Sequence, residues 1–429
     1  MIIEASKIEA SKIEASKIEA SDLPSKGKKV VLAYSGGLDT SVILTWLKEE
    51  KGYQVIAVCV DVGQQEDFQA LEQKGLSTGA QKVIVVDAVD AFVVDYAFIG
   101  LKAGAIYEGE YLLGTAFARP LIAKHMVDIA RQEGAEAIAH GATGKGNDQV
   151  RFEATIKALA PELDVIAPWR QWTFKSREDL MAYAAKKGIP VPNTPKDPYS
   201  RDENLWHISH EGGNLEDPWE AHCQSLYRWT KPLSQVCPEG DTLTITFKKG
   251  VPVAIDDMTM TPKAILEQLN ARAGAQGVGV VDLVENRLVG MKSRGVYETP
   301  GGTVLYKAHS ALERLVLDRE TLHVKTSLGL RYADLVYNGL WYSPLKSALD
   351  AFVESTQHVV AGTVRIGLTH GHVQILGTKS PYSLYSEAHV TFGEDHVYNQ
   401  SDAQGFINLF TLPLQMVARL QGQEANNER

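Results

Sequence analysis

The sequence predicts an α/β fold: a parallel sheet with helices on both faces, then an α+β domain, then a C-terminal helix. Three observations predict it. Apolar runs of strand length alternate with helically spaced segments from residue 28 to 187. Pro190, Pro192, Pro195 and Pro198 then crowd a short span, a crossover between domains, and the texture turns strand-rich from Thr242. Residues 406–420 place apolar side chains at helical spacing.

Residues 3–21 repeat Ile-Glu-Ala-Ser-Lys with a period of five. At about 100° per residue, that period rotates the Ile around a helix instead of stacking it on one face. The stretch reads as a solvated, partly helical or disordered tail, and 22–27 as a linker. Residues 29–33 form the first strand, and 42–48 lie in the helix after it. Strands follow at 55–60 and 82–87, with helices at 67–80 and 88–97. The helix 121–133 is amphipathic and follows Pro120. Residues 137–140 and 165–168 are short strands, and 176–187 is a helix. Further on, 243–248 and 251–255 read as strands, and 262–272 and 308–317 as helices. Residues 364–368 and 373–376 pair as a hairpin across Thr369-His-Gly-His372. The division expected is a tail 1–27, an α/β domain 28–189, an α+β domain 190–400, and a C-terminal helix with a polar tail, 401–429.

The totals bound the function. The 429 residues suffice for two or three domains. With 44% hydrophobic and 22% charged residues, the chain reads as soluble and globular. A net charge of −10 argues against broad binding to nucleic acid or acidic membrane. Three cysteines, none in a C-x-x-C pair, argue against a disulfide framework or structural zinc and suit a reducing cytoplasm. No apolar run approaches the roughly 20 residues of a membrane span, and the N-terminus lacks the apolar core of a secretory signal.

Ala33-Tyr-Ser-Gly-Gly-Leu-Asp-Thr-Ser41 joins the first strand to the first helix. That order points backbone N–H groups at an anion. Gly36 and Gly37 permit positive φ and close approach of a ligand. Ser35, Thr40 and Ser41 supply hydroxyls, and Asp39 is placed to hold a cation beside a phosphate. This is neither the Gly-x-x-x-x-Gly-Lys-Ser/Thr loop nor the Gly-x-Gly-x-x-Gly turn. An ordinary βα turn is the plainer alternative on local features. The Ser-Gly-Gly-x-Asp-Ser/Thr pattern resembles the PP-loop of the ATP pyrophosphatases. That resemblance implies a Rossmann-like nucleotide-binding domain that cleaves ATP between the α and β phosphates through an adenylated intermediate.

The second stretch is His140-Gly-Ala-Thr-Gly-Lys-Gly-Asn-Asp-Gln-Val-Arg151. Glycines around a lysine after a strand suit an anionic ligand. Thr143 donates and accepts, Asn147 offers an amide, Asp148 a carboxylate, and Arg151 a two-point grip on a carboxylate. Tyr111 and Thr115 offer hydroxyls, although Tyr111 alone reads as a packing aromatic. Arg119 either binds an anion or caps structure. Ser200 and Ser209 read as turn residues. His207 and His210 lack the third ligand that a metal site needs. Glu285 suits an amino or guanidinium partner and Tyr297 a hydrogen bond; a structural salt-bridge segment is the alternative.

Taken together, the 33–41 and 140–151 stretches, Tyr-Leu-Leu-Gly-Thr at 111–115, Val-Glu-Asn-Arg at 284–287 and Met-Lys-Ser-Arg-Gly-Val-Tyr-Glu-Thr-Pro at 291–300 resemble the argininosuccinate synthase family. They come in that family's order over about residues 28–412. The resemblance implies ATP-dependent joining of L-citrulline and L-aspartate through a citrulline-adenylate, releasing AMP and pyrophosphate, in arginine biosynthesis. It also implies a homotetramer. It assigns Ala33, Tyr34, Ser35, Gly36, Gly37, Leu38, Asp39, Thr40, Ser41, Val60 and Gly141 to ATP. It assigns Thr143, Asn147 and Asp148 to aspartate, and Tyr111, Asn147, Arg151, Ser200, Ser209, Glu285 and Tyr297 to citrulline. Backbone amides and Mg²⁺ are expected to stabilise the leaving pyrophosphate, with Asp39 the candidate Mg²⁺ contact. Either Asp148 or a phosphate oxygen takes the proton of the aspartate amine. Ala116 and Arg201 depart from the family pattern, where many relatives carry Ser and Met. The rival readings are another PP-loop ligase or amidotransferase, and a non-catalytic nucleotide-binding regulator.

Overall fold

The structure, a computed structural model, describes residues 27–190, 198–393 and 397–427. The pentad repeat, most of the linker, Pro192 and Pro195 lie outside the described residues. The chain divides into two compact units between Tyr382 and Ser383.

The first unit opens with β1 (Lys29–Ala33), β2 (Gln54–Asp61), β3 (Lys82–Asp87), β4 (Ala137–Ala139) and β5 (Asp164–Ile166). They form one parallel sheet in the order β3-β2-β1-β4-β5. Val30, Val31 and Leu32 are wholly buried, so β1 is apolar on both faces, as a sheet covered on both sides requires. The connections hold α1 (Leu38–Glu49), α2 (Phe68–Thr78), α3 (Val89–Ala91), α4 (Phe98–Ala103), α5 (Gly114–Glu133), α6 (Asp148–Leu159) and α7 (Arg177–Lys187). A π-helical turn, Phe92–Ala97, joins α3 to α4. The strand order switches sides between β1 and β4, so the segments after these strands meet at the carboxyl edge. That crevice is where such sheets take their ligands.

The rest of the unit is antiparallel sheet and helix, as expected of an α+β domain. Its strands are β6 (Tyr199–Glu203), β7 (Ile208–Gly212), β8 (Asp241–Lys248), β9 (Val251–Ile255), β10 (Met258–Thr259), β11 (Val280–Asn286), β12 (Lys292–Glu298), β13 (Gly362–Thr369) and β14 (His372–Lys379). Its helices are α8 (Pro262–Ala275), α9 (Pro300–Val316), α10 (Arg319–Tyr337) and α11 (Pro344–Gln357). One sheet runs β10-β9-β8-β13-β14 and the other β11-β12-β7-β6. Leu243, Ile245 and Phe247 of β8 alternate inward, and α9 packs on β13 and β14.

The turn Asn204–His207 plugs into the first sheet. Trp206 is wholly buried and its indole N–H donates to the Leu112 carbonyl at 2.9 Å. The Asn204 carboxamide accepts from the Trp206 and His207 amides at 3.0 and 3.1 Å and donates to the Gly114 carbonyl at 3.2 Å. The Leu205 amide donates to the Val62 carbonyl at 2.9 Å.

Several elements differ from expectation. The helix expected from residue 121 begins at Gly114, with Pro120 inside it. An interior proline costs roughly 3 kcal/mol, but residues 114–118 are all buried, and that packing outweighs the lost hydrogen bond. The helix expected from residue 308 begins at Pro300, where a first-turn proline lacks only an N–H that the helix does not use. Strands β6, β7, β11 and β12 and helices α6, α10 and α11 have no counterpart in the sequence reading. The four strands carry polar residues on one face, which masks the apolar alternation.

The second unit holds α12 (Glu387–Val390), α13 (Asp402–Phe410) and α14 (Leu412–Asn427). The single helix expected over 406–420 is therefore two. Pro413 has no N–H for the carbonyl one turn back, and the helix breaks at Thr411. Among the described residues no helix is long and apolar enough to cross a membrane.

Two outcomes follow from the turn at 204–207. Trp206→Ala should lower the unfolding free energy by about 3–5 kcal/mol, read from urea titration. His207 is held neutral, its pKa pushed down to about 3, first by burial and then by Arg119. An unfolded histidine titrates near 6.5. Between those two values the unfolded chain binds more protons, so stability falls as pH drops below about 6.5. At pH 5 this group costs about 2 kcal/mol, and His207→Gln should remove that much of the pH 7 to pH 5 loss.

Candidate active site

The loop after β1 turns at Gly36, whose φ of 68° lies in the left-handed region. Gly37 begins α1 with no side-chain cap, so no side chain satisfies the first amides of that helix. Ser35 Oγ and Thr40 Oγ1 are 3.2 Å apart, and the hydroxyls of Tyr34 and Ser41 3.4 Å. Asp39 sits half-buried in the first turn of α1. Burial raises its pKa, with Arg177 acting in the opposite sense. Gly141, beyond β4, lies against Thr40 and Ile43 of α1. Val60, near the end of β2, is buried. The two glycine-bearing stretches are thus neighbours across the switch point.

Beside them opens a cleft with ≈ 650 Å³ of empty space, part of it open to solvent. Its floor is one face of the sheet β11-β12-β7-β6. Ser200 pairs with Glu211, Asp202 with Ser209, and Ser209 with Tyr297, so these side chains share a face. Glu285 lies on the same face of β11. The walls are Tyr111 and Thr115 at the start of α5, Thr143 and Gly146 of the loop, and Asn147, Asp148 and Arg151 at the start of α6.

Glu285 is almost fully buried. The Tyr297 hydroxyl donates to its Oε1 at 3.0 Å, while Oε2 makes no full hydrogen bond within the protein. Burial raises the Glu285 pKa and Arg151 partly offsets it. Gly295 makes the Tyr297 contact possible, because a Cβ there would stand 2.8 Å from the Tyr297 hydroxyl. The Leu288 amide donates to Asn147 Oδ1 at 2.9 Å, which leaves the Asn147 NH₂ for other partners.

A ladder of charges runs along one wall. Arg119 Nη2 donates to Asp202 at 2.5 Å and Nε to Asp148 at 2.9 Å. The other Asp148 oxygen accepts from Arg151 Nη1 at 2.9 Å, and Arg151 Nε donates to the Tyr337 carbonyl at 2.9 Å. Burial works to raise the Asp148 pKa, but Arg119 and Arg151 outweigh it and hold the carboxyl below its usual range. Asp202 moves the other way: burial raises its pKa beyond what Arg119 offsets.

All nine residues assigned above to aspartate or citrulline line this one cleft, whereas the ATP-loop residues do not. Arg119, left open between anion binding and capping, holds two carboxylates of the wall. Tyr111 both packs, 4.6 Å from the Tyr297 ring, and lines the cleft. Ser200 and Ser209 are strand residues, not turn residues, because their strands were missed. His207 and His210 form no pair. His207 Nε2 meets Thr115 at 2.9 Å, and His210 donates to Glu298 at 2.8 Å while accepting from Arg201 Nε at 3.0 Å. Among the described residues no three His, Cys, Asp or Glu side chains gather to hold a metal. Ala116 is fully buried in α5. The sequence reading passed over Asp202, Glu211 and Arg287, which also line the cleft. The signal was there: Ser-x-Asp at 200–202 and Ser-x-Glu at 209–211 repeat polar residues at the strand period.

Comparison with known proteins agrees with this architecture. The arginosuccinate synthase N-terminal HUP domain matches residues 29–190, and the arginosuccinate synthase C-terminal domain matches 199–417. The argininosuccinate synthase of Alkaliphilus metalliredigens is 61% identical over 406 residues, 94% of this chain and 97% of that protein. Those of Caldanaerobacter subterraneus subsp. tengcongensis and Moorella thermoacetica are each 60% identical, covering 92% of this chain and 97% of theirs. With both domains matched and such identity along nearly its whole length, the chain belongs to the argininosuccinate synthase family.

Proposed function

We propose that this chain joins L-citrulline to L-aspartate at the expense of ATP, forming argininosuccinate, AMP and pyrophosphate in arginine biosynthesis. One observation carries the reading: the residues assigned to both amino acids line a single cleft, one wall of which is the loop that begins at Gly141, against α1. Within it, Glu285 Oε2 waits for a donor.

ATP lies with its phosphates on the amides of the loop 35–41. Citrulline lies on the antiparallel sheet, with its carboxylate toward Arg151 and a nitrogen toward Glu285. The ureido oxygen attacks the α-phosphorus and pyrophosphate leaves. The ureido carbon of the adenylate is then electrophilic, and the aspartate amine displaces AMP. A ureido oxygen is a poor nucleophile, so alignment carries much of the barrier, a contribution of about 7–11 kcal/mol in well-oriented reactions. Asp148 is a poor proton acceptor, since two guanidinium groups hold both its oxygens and depress its pKa. Its role is to position Arg119 and Arg151, and the amine proton passes to a phosphate oxygen.

Mg²⁺ belongs to this reading, neutralising phosphate charge. Asp39, a half-buried carboxylate at the loop, would hold it beside the phosphates, where it would offset their charge. A homotetramer is in keeping with the second unit, where Phe406, Leu409 and Phe410 are exposed on α13. A cytoplasmic setting accords with three unpaired cysteines.

Pyrophosphate release assayed with citrulline and aspartate, together and singly, tests the function. Sustained release should need both, and release of ADP and orthophosphate would refute it. Glu285→Gln should raise the citrulline KM by roughly ten-fold or more and move the ATP KM far less. Equal effects on both would remove Glu285 from the citrulline site.

A further inference from the structure

The loop that takes the triphosphate has no cation of its own: residues 33–41 contain no Lys or Arg. A triphosphate needs one, most of all when charge collects on its leaving half. The fold brings a lysine in from α2. Leu71 of that helix lies against Gly36, where a Cβ would sit 3.5 Å from the leucine side chain. One turn on, Lys74 Nζ donates to the Gly36 carbonyl at 2.5 Å. That bond uses one of the three ammonium protons. A neutral carbonyl compensates poorly for an ammonium drawn part-way out of water. Burial accordingly lowers the lysine pKa, and Glu66 acts against the fall.

We propose that Lys74 binds the pyrophosphate half of ATP and stabilises it as it leaves. The assignment rests on the functional reading above and adds to it a residue outside the loop motif. As the ureido oxygen bonds to the α-phosphorus, the bond from that phosphorus to the bridging oxygen breaks. The electron pair stays on pyrophosphate, and the remaining ammonium protons of Lys74 meet that charge at the turn where the loop amides already point. The hydrogen bond to Gly36 keeps the ammonium there before substrate arrives.

The test is product inhibition in the full chain, with pyrophosphate and AMP as separate probes, for the wild type, Lys74→Met and Lys74→Arg. Wild-type formation of AMP and pyrophosphate from ATP, citrulline and aspartate checks the underlying reading in the same assay. Lys74→Met should weaken pyrophosphate inhibition roughly ten-fold or more, leave AMP inhibition near wild type and lower kcat. Lys74→Arg should recover much of the loss. Unchanged pyrophosphate inhibition in Lys74→Met overturns the assignment. So does equal weakening of AMP and pyrophosphate without rescue by arginine, which would make Lys74 a prop for the loop. A wild type that makes no AMP and pyrophosphate overturns the functional reading, and the assignment with it.

Discussion

The ladder Asp202–Arg119–Asp148–Arg151 sets the geometry on which the cleft depends. Its members come from three elements: Asp202 from β6, Arg119 from α5, and Asp148 and Arg151 from the first turn of α6. Arg151 also reaches the last carbonyl of α10, where the helix end carries partial negative charge. Charges drawn part-way out of water are costly, and removing one member leaves its partner's charge without compensation. The ladder is therefore tolerable only when complete. Completing it leaves little freedom in how the parallel and antiparallel sheets meet, and the cleft is the space between them.

The two halves of the molecule contribute different physics. The parallel sheet presents backbone amides at its carboxyl edge, where the switch between β1 and β4 sets two glycine-bearing stretches side by side. That arrangement favours negative charge without reading a side-chain pattern. The antiparallel sheet does the reverse, aiming a patterned row of carboxylates and hydroxyls from strands held in fixed register. Its precision depends on small details. Without the bare backbone at Gly295, the Tyr297 hydroxyl would have no room to lie where it meets Glu285.

Much of this was legible before any coordinates. The glycines and hydroxyls of the β1 loop read as an anion turn, and the residues that the family resemblance assigns to aspartate and citrulline fall in one cleft, while those assigned to ATP do not line it. What escaped is informative. Strands β6, β7, β11 and β12 were invisible to a search for apolar alternation, because their cleft-facing positions carry polar and charged side chains. Ser200 and Ser209 consequently passed for turn residues. Pro120 hid the first turns of α5, since a proline reads as a boundary until the packing around it is known.

The sequence by itself determined the α/β start, because that resides in local spacing: a strand, two glycines and a helix within a dozen residues. It also carried the family, in motifs that stand in a fixed order along the chain. Only the tertiary structure decided which charges face one another. Arg119 meets Asp202, and Lys74 meets Gly36, across gaps in the chain that no periodicity spans. Such pairings are fixed by the register of sheets and the docking of helices, and those are settled by burial over the whole molecule.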